Sequence, residues 1–438
     1  MRSSAALAVC VMLCVTAPAC SRGGDANGTE VPFVQVDPAS SSPTDRAIAK
    51  AQATLRTTPG DPSAQLALAQ AFLQKARETA DPTLYTKAGT LLDLVSAQTT
   101  DDPRVLVAEG TLALAQHRFG EGLDLGRRAL EAAPGNESAY GVVVDATNEL
   151  GRYPESLEAV EAMVDARPNL ASLSRVSYAR ELRGDLDGAI LAMSQAVTAG
   201  ASSVGENLAY VQVLLGNLLL TRGDLAEAAR SYNDAERSFP GFPAARVGRV
   251  RLLMAREKWS AAADLMAQVI RVQPLAEYAV LHGDVLDAAG RTDEAEEARA
   301  LVGAIASLYR SNGVNVDLEL ALFEADQRSG AAAVEQARTA LKARPSIFGH
   351  DAMAWNLFRD GQIAAASSEM EDALSTGSQD PQFRFHAAAI AAAAGDRSGA
   401  REHLEIVLAT NPRFSAAYIR ELKELATELD LKMPAVPG

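Results

Sequence analysis

Apolar residues recur along this chain at three- and four-residue spacing, with polar residues between them. The stretch SAAYIRELKELATELDL at 415–431 has its charged residues on one side, the pattern of an amphipathic helix. Elsewhere alanine supplies much of the apolar content, as in AAAIAAAAG at 387–395. Alanine is the best helix former and lets neighbouring helices approach closely. The sequence has no run of alternating Val, Ile and Thr bounded by hairpin turns, so the pattern predicts an all-α chain.

Proline divides the pattern into a period. Helix-ending prolines stand at Pro59, Pro134, Pro168, Pro240, Pro274, Pro345 and Pro412. The successive steps of 75, 34, 72, 34, 71 and 67 residues are one or two units of 34, with short insertions. That period resembles the tetratricopeptide repeat, a pair of helices A and B. A solenoid of such units packs each one only on its neighbours, so 438 residues need not divide into several globular domains.

The resemblance implies small residues at unit positions 8 and 20, where the two helices cross most closely. Aligned on the prolines, position 8 is Ala69, Gly110, Val144, Ser177, Gly216, Val250, Gly283, Ala321, Ala354 and Ala388. Position 20 is Ala88, Gly122, Ser156, Ala189, Ala228, Ala262, Ala295, Ala333, Ala366 and Ala400, every one Ala, Gly or Ser. Gly151, Gly184, Gly223, Gly290, Gly361 and Gly395 fall between the helices, where a left-handed residue ends helix A. Asp61-Pro62, Asp102-Pro103 and Asp380-Pro381 place a capping carboxylate before a first-turn proline. The unit from 209 to 242 matches the family pattern at Leu215, Gly216, Gly223, Ala228, Tyr232, Ala235 and Pro240.

Ten units follow, approximately 62–102, 103–136, 137–169, 170–208, 209–242, 243–275, 276–313, 314–346, 347–380 and 381–414. The first carries an insertion around Arg77–Pro82, an extra segment at Ala199–Asn207 follows the fourth, and the seventh has a long second helix, Asp293–Arg310. Residues 44–58 read as a half-unit and 415–431 as a helix capping the open end. The expected fold is a right-handed superhelical solenoid of about ten such pairs with a C-terminal capping helix, spanning 44–433 and followed by a short tail at 434–438. Stretches such as RVSYARELRGDLDGAI at 175–190 and VDLELALFEAD at 316–326 resemble a group of bacterial exported repeat proteins.

Residues 1–19 have the grammar of an export signal: Arg2, an apolar stretch from Ala5 to Val15, then the small residues Ala17-Pro18-Ala19. The apolar stretch is too short to span a bilayer as a stable helix. Cys20 follows at once, a position that resembles the lipidated cysteine of bacterial lipoproteins. The family prefers Leu where Ala17 stands, so conventional cleavage and a secreted or periplasmic soluble product is the alternative. The three cysteines are Cys10, Cys14 and Cys20. The one left after cleavage stands where lipid would be attached, and the folded body can hold neither a disulfide nor a cysteine metal site. Residues 21–43, rich in Gly, Ser, Asp and Pro, read as a flexible tether.

The formal net charge of −15 lacks the basic footprint that nucleic acid requires and opposes electrostatic binding to anionic lipid. Membrane contact is expected through the lipid alone. Acidity of this kind keeps a protein soluble; a preference for basic partners is the other reading. The histidines, His117, His282, His350, His386 and His403, form no adjacent metal-ligand pair, though His350 and His386 from stacked units could meet. Neither a phosphate-binding loop nor a nucleophile elbow occurs. No catalysis, cofactor or metal is expected.

In this architecture helix A lines the concave surface, and unit positions 2, 5, 9 and 12 project inward. Those positions give Asp145 and Asn148, Tyr178 and Glu181, Asn217, Arg251, Asp284 and Asp287, then Asp351, Trp355 and Phe358. A groove of carboxylates, amides and aromatics suits an extended peptide or a helix. In the alternative reading the polar groups are simply solvated and Trp355 or Tyr178 packs on the next unit. The expected function is a membrane-tethered interaction scaffold for an exported or membrane-associated protein or peptide. The alternatives are an accessory protein holding a small molecule, metal or glycan in the groove, or an enzyme with a site spread over several repeats.

Overall fold

The computed structural model describes residues 31–37, 40, 42–201 and 205–437; residues 1–30, with the proposed signal and Cys20, lie outside them. Twenty-two α-helices and no strand occur among the described residues. The helix Pro43–Thr57 comes first and Ile419–Glu428 last, with ten antiparallel pairs between. The A helices are Pro62–Thr79, Pro103–Ala115, Glu137–Glu149, Leu170–Glu181, Glu206–Arg222, Pro243–Ala255, Ala276–Ala288, Asp317–Arg328, Ile347–Arg359 and Pro381–Ala393. Their B partners are Thr83–Ser96, Phe119–Ala132, Tyr153–Ala166, Leu186–Ala199, Leu225–Ser238, Trp259–Val272, Thr292–Ser311, Ala331–Ala343, Ile363–Ala373 and Arg397–Ala409. The fold is an all-α helical-repeat solenoid.

The expected crossing residues do what their size implies. All ten at position 8 and all ten at position 20 are buried. In the fourth unit the Ser177 hydroxyl donates to the Ala189 carbonyl at 2.7 Å, directly across the crossing. Asp61, Asp102 and Asp380 accept hydrogen bonds from the first backbone N–H groups of their helices, satisfying donors that the helix itself leaves free. The six glycines between helices all have positive φ. Of the other four units, the eighth uses Gly330 at φ 134°, and in the remaining three Ala80, His117 and Glu257 take the left-handed conformation, with φ of 53°, 58° and 50°. For a residue with a side chain this costs about 1 kcal/mol or more.

The solenoid winds far enough to meet itself. The A–B turn of the second unit touches the junction of the seventh and eighth: Gln116 Nε2 donates to the Asn312 carbonyl at 3.0 Å, and His117 Nδ1 meets the Asn315 carbonyl. One unit on, Arg344 joins Glu149, and the Ile347 amide donates to the Tyr153 hydroxyl at 2.7 Å. The fourth turn lies on the ninth junction and the sixth on the C-terminal segment, where Arg413 and Lys423 hold Glu257 at 2.9 and 3.1 Å. Two of these approaches leave no room for a side chain. A Cβ on Gly151 would lie 2.1 Å from the Pro345 carbonyl oxygen, and one on Gly184 2.6 Å from that of Gly377.

Three expectations need correction. Within the stretch read as a flexible tether, Val31, Val34 and Val36 pack on the first helices. The buried Gln52 amide explains it, accepting from the Val34 N–H at 2.7 Å and donating to its carbonyl at 3.1 Å. The capping helix spans Ile419–Glu428 rather than all of 415–431, because the residues before it turn sharply across the end of the solenoid. The fifth A helix begins at Glu206, three residues before the unit boundary, since Glu206 is held by Arg77 at 2.7 Å.

Tyr232 tests how tightly the crossings are packed. Its ring is fully buried between Gly216 and Gly248, and a Cβ on either would lie 2.4 or 2.3 Å from ring carbons. Gly216→Ala gains about 1 kcal/mol of helix propensity but overpacks a rigid ring at about 1–3 kcal/mol, so net destabilisation is expected. Gly303→Ala, on a helix with nothing within 4 Å, is expected to stabilise by about 1 kcal/mol. Thermal and urea denaturation of the two variants beside the wild type checks both signs.

Candidate binding groove

Inward-facing A helices and the C-terminal segment enclose an open groove of about 960 Å³. Its walls come from successive units of the second half: Arg251 from the sixth, Glu277, Asp284 and Asp287 from the seventh, Glu319 and Asp326 from the eighth, and Arg359 from the ninth. Tyr418 and Glu421 close one side. Two of its four arginines are held in ion pairs. Arg299 reaches in from a B helix to Asp284 at 3.2 Å and Asp287 at 2.5 Å. Arg359 joins Asp326 at 3.1 Å and Glu421 at 2.9 Å, and its guanidinium lies over the Trp355 ring.

The expected inward residues divide into three groups. Arg251, Asp284 and Asp287 line the groove, and Asn217 reaches it indirectly, its carbonyl accepting from Arg251 at 3.1 Å and from the Tyr232 hydroxyl at 2.9 Å. Asp145 is tied to Arg175 by two hydrogen bonds of 2.8 and 2.6 Å, and Glu181 keeps an exposed carboxyl. Asn148 is buried, and Tyr178 is half-buried beside Leu182, Ile347 and Phe383, packing between turns of the solenoid. Trp355 is 0% exposed and offers no ligand surface. It stacks on His386 with ring centres 3.9 Å apart, meets Tyr418 edge-on and donates its N–H to Asp326 at 3.0 Å. The capping segment covers the aromatic end of the stripe and Trp355 packs on the next unit, whereas Tyr178 packs on the ninth and tenth units rather than on the next one. His386 pairs with Asp351 at 2.8 Å, both fully buried, rather than with His350.

Several inward residues escaped the sequence reading. Tyr210 and Glu277 occupy position 2 of the fifth and seventh units, so the same stripe contains them. Tyr210 is 45% exposed, with charges from four units around it: Arg77, Asp145, Glu206 and Glu277. Arg299 comes from a B helix and Tyr418 from another turn, and no stripe on the A helices points to either. Outside the groove, His350, Glu369 and Asp372 bring one donor atom each within 4.8 Å of the others.

Poor solvation raises carboxylates both in the groove and outside it, at Glu181. It pushes Glu181 up to about 7, with the nearby Asp380 charge adding to it. It also pushes Asp284 up to about 6 against the opposing pull of Arg299, with Asp326 and Asp287 adding to the rise. Glu277 is raised by the same cause. Glu181 and Glu277 do touch water, but protein surrounds that water, so a charge there is less well solvated than on an open surface.

Sequence profiles of the tetratricopeptide repeat match residues 149–204 and 219–284. No curated protein matches the chain. Among solved structures it is similar to a thermophilic tetratricopeptide-repeat protein of Thermus thermophilus, at 20% identity over 42% of this chain and 98% of that one, with a TM-score of 0.37. A tetratricopeptide-repeat protein of Parabacteroides merdae shares 18% identity over 56% of this chain and 98% of its own, with a TM-score of 0.39. Human IFIT1 shares 14% over 83% of this chain and 90% of its own, with a TM-score of 0.46. Among the described residues no helix is long and apolar enough to cross a membrane.

The raised carboxyl of Glu181 has a measurable consequence. Its folded value exceeds the ordinary glutamate value, so the folded state holds its proton more tightly and its charge destabilises the fold above that interval. Glu181→Gln is therefore expected to stabilise the chain at pH about 8 and to lose that advantage as pH falls towards about 5.5. The difference between variant and wild type is the quantity to follow. Burial lowers His282 and His403, and both act in the opposite sense over part of that range. Urea denaturation of both proteins across the range checks the prediction.

Proposed function

We propose that this chain, built of tetratricopeptide repeats, is an interaction scaffold that holds an extended, basic segment of another exported or membrane-associated protein in its groove, tethered to a bacterial membrane by lipid on Cys20. One observation carries the groove reading. Inward-facing helices of four successive units line a single open trough rather than a closed pocket, and a trough offers successive side chains of an extended peptide separate subsites.

The sign of the partner follows from the carboxylates. Glu277 and Asp284, both on the trough wall, are held back from ionising by poor solvation, so a lysine or arginine entering beside them recovers their full charge as well as its own attraction. Tyr210 adds a broad exposed ring, a residue type that carries binding energy at interfaces. Binding of this kind takes up ionised carboxylates, so affinity weakens as pH falls through about 6, the value set by Asp284. The accessory alternative places a small molecule, metal or glycan in the same trough, and the occupant found there separates the two readings.

A photo-crosslinking amino acid at Phe323, on the trough wall, in the full membrane-attached chain is expected to capture a protein partner, with capture reduced by Glu277→Gln plus Asp284→Asn. Absence of any protein adduct, with a small molecule retained in native mass spectra, would sink the scaffold reading and favour the alternative. The lipid has a separate check. Radioactive palmitate should label the wild type and fail to label Cys20→Ser; label persisting in the variant would refute attachment at Cys20.

A further inference from the structure

We propose that the ninth unit carries a site for a divalent transition-metal ion of the zinc class, formed by His350, Glu369 and Asp372. None of the three lines the groove, so the site stands independently of the scaffold reading. His350 lies in the first turn of Ile347–Arg359, and Glu369 and Asp372 lie towards the end of Ile363–Ala373. The two carboxylates are three residues apart and share a helix face. Antiparallel pairing of the two helices sets that face opposite the imidazole.

The distances fit a small tetrahedral ion. His350 Nδ1 is 2.8 Å from Glu369 Oε2 and 3.9 Å from Asp372 Oδ2, and all three donors lie within 4.8 Å of one another. Zinc held at 2.0–2.1 Å from each donor in tetrahedral geometry requires donors about 3.3 Å apart. The observed separations bracket that value, so side-chain rotation suffices. The site is also reachable, with the three side chains 24%, 26% and 65% exposed.

The charge balance points to a cation. Among the described residues Glu369 and Asp372 form ion pairs with His350 alone. Their helix has no basic residue in its last turn, where the helix dipole already places partial negative charge. Asp284, Asp287, Asp326, Glu149 and Glu257 each have an arginine beside them; Glu369 and Asp372 face one imidazole. One nitrogen and two oxygen donors form a borderline set that suits zinc, whereas magnesium and calcium prefer oxygen alone. Binding requires Nδ1 without its proton, which is released as the ion enters. Three protein donors leave a fourth position for water.

The test uses the full chain, stripped with chelator and titrated calorimetrically with zinc chloride and, separately, magnesium chloride. One zinc per chain and no comparable magnesium binding are expected, with zinc affinity falling roughly tenfold or more in His350→Ala and in Asp372→Asn. Circular dichroism reports whether each variant folds. Asp372 is largely exposed, so Asp372→Asn keeps the question decidable even where His350→Ala does not fold. Absence of a stoichiometric zinc site, or equally tight binding by a folded variant, would overturn the assignment.

Discussion

Everything in this molecule depends on how closely helix B approaches helix A in each unit. The approach is set where position 8 meets position 20, and all twenty of those residues are buried. Position 20 never exceeds serine in size. A bulkier side chain there would lever the pair apart, and because the pairs stack in series the error would be carried into every later unit. Ser177 shows how little space remains, its hydroxyl reaching the backbone of the opposite helix at 2.7 Å. Close, repeated crossings give a constant curvature, and constant curvature brings distant parts of the chain together.

That return contact explains the irregular turns. Most A–B turns use glycine to reach the left-handed conformation, and three do not. Each of the three exceptions takes part in a contact between turns of the solenoid: the Ala80 carbonyl accepts from the Tyr309 hydroxyl at 2.9 Å, His117 meets the Asn315 carbonyl, and Glu257 holds Arg413 and Lys423. For His117 and Glu257 the strain of a side chain at positive φ is offset by the bonds that side chain makes across the turns. Gly151 and Gly184 show the converse case, in which the second turn comes so near that no side chain fits. Turn chemistry here serves two purposes at once, ending a helix and seating the next winding.

The repeat was legible in the sequence because a local rule, one small residue per crossing, is written ten times. The turns lacking glycine, and the return contact they serve, were not legible. Residues such as Gln116 and Asn312 meet across 196 positions, and nothing local marks them as partners. The groove was half legible. Position counting on the A helices leads to Arg251, Asp284 and Asp287, which line the trough, and the same stripe contains Glu277. It misplaced Trp355, because the capping segment that buries this ring comes from outside the repeat register. It missed Arg299 because that side chain comes from helix B and reaches the carboxylates of its own unit's helix A. The histidine cluster escaped for a related reason: its ligands lie nineteen and three residues apart on two helices, a spacing that means nothing until the helices are paired.

Winding also changes what the acidic composition means. On an open surface a net charge of −15 is screened within about 10 Å at moderate salt. Inside a wound solenoid, carboxylates from different units face a shared space, and poor solvation there raises Glu277 and Asp284 towards neutrality. Arg299 and Arg359 neutralise some of these groups and fall short of neutralising all. The superhelix thereby converts a dispersed surface charge into a concentrated internal one. A basic segment gains from this concentration only where it can lie along several units together, and so the geometry that shapes the groove also favours an extended partner over a single small cation.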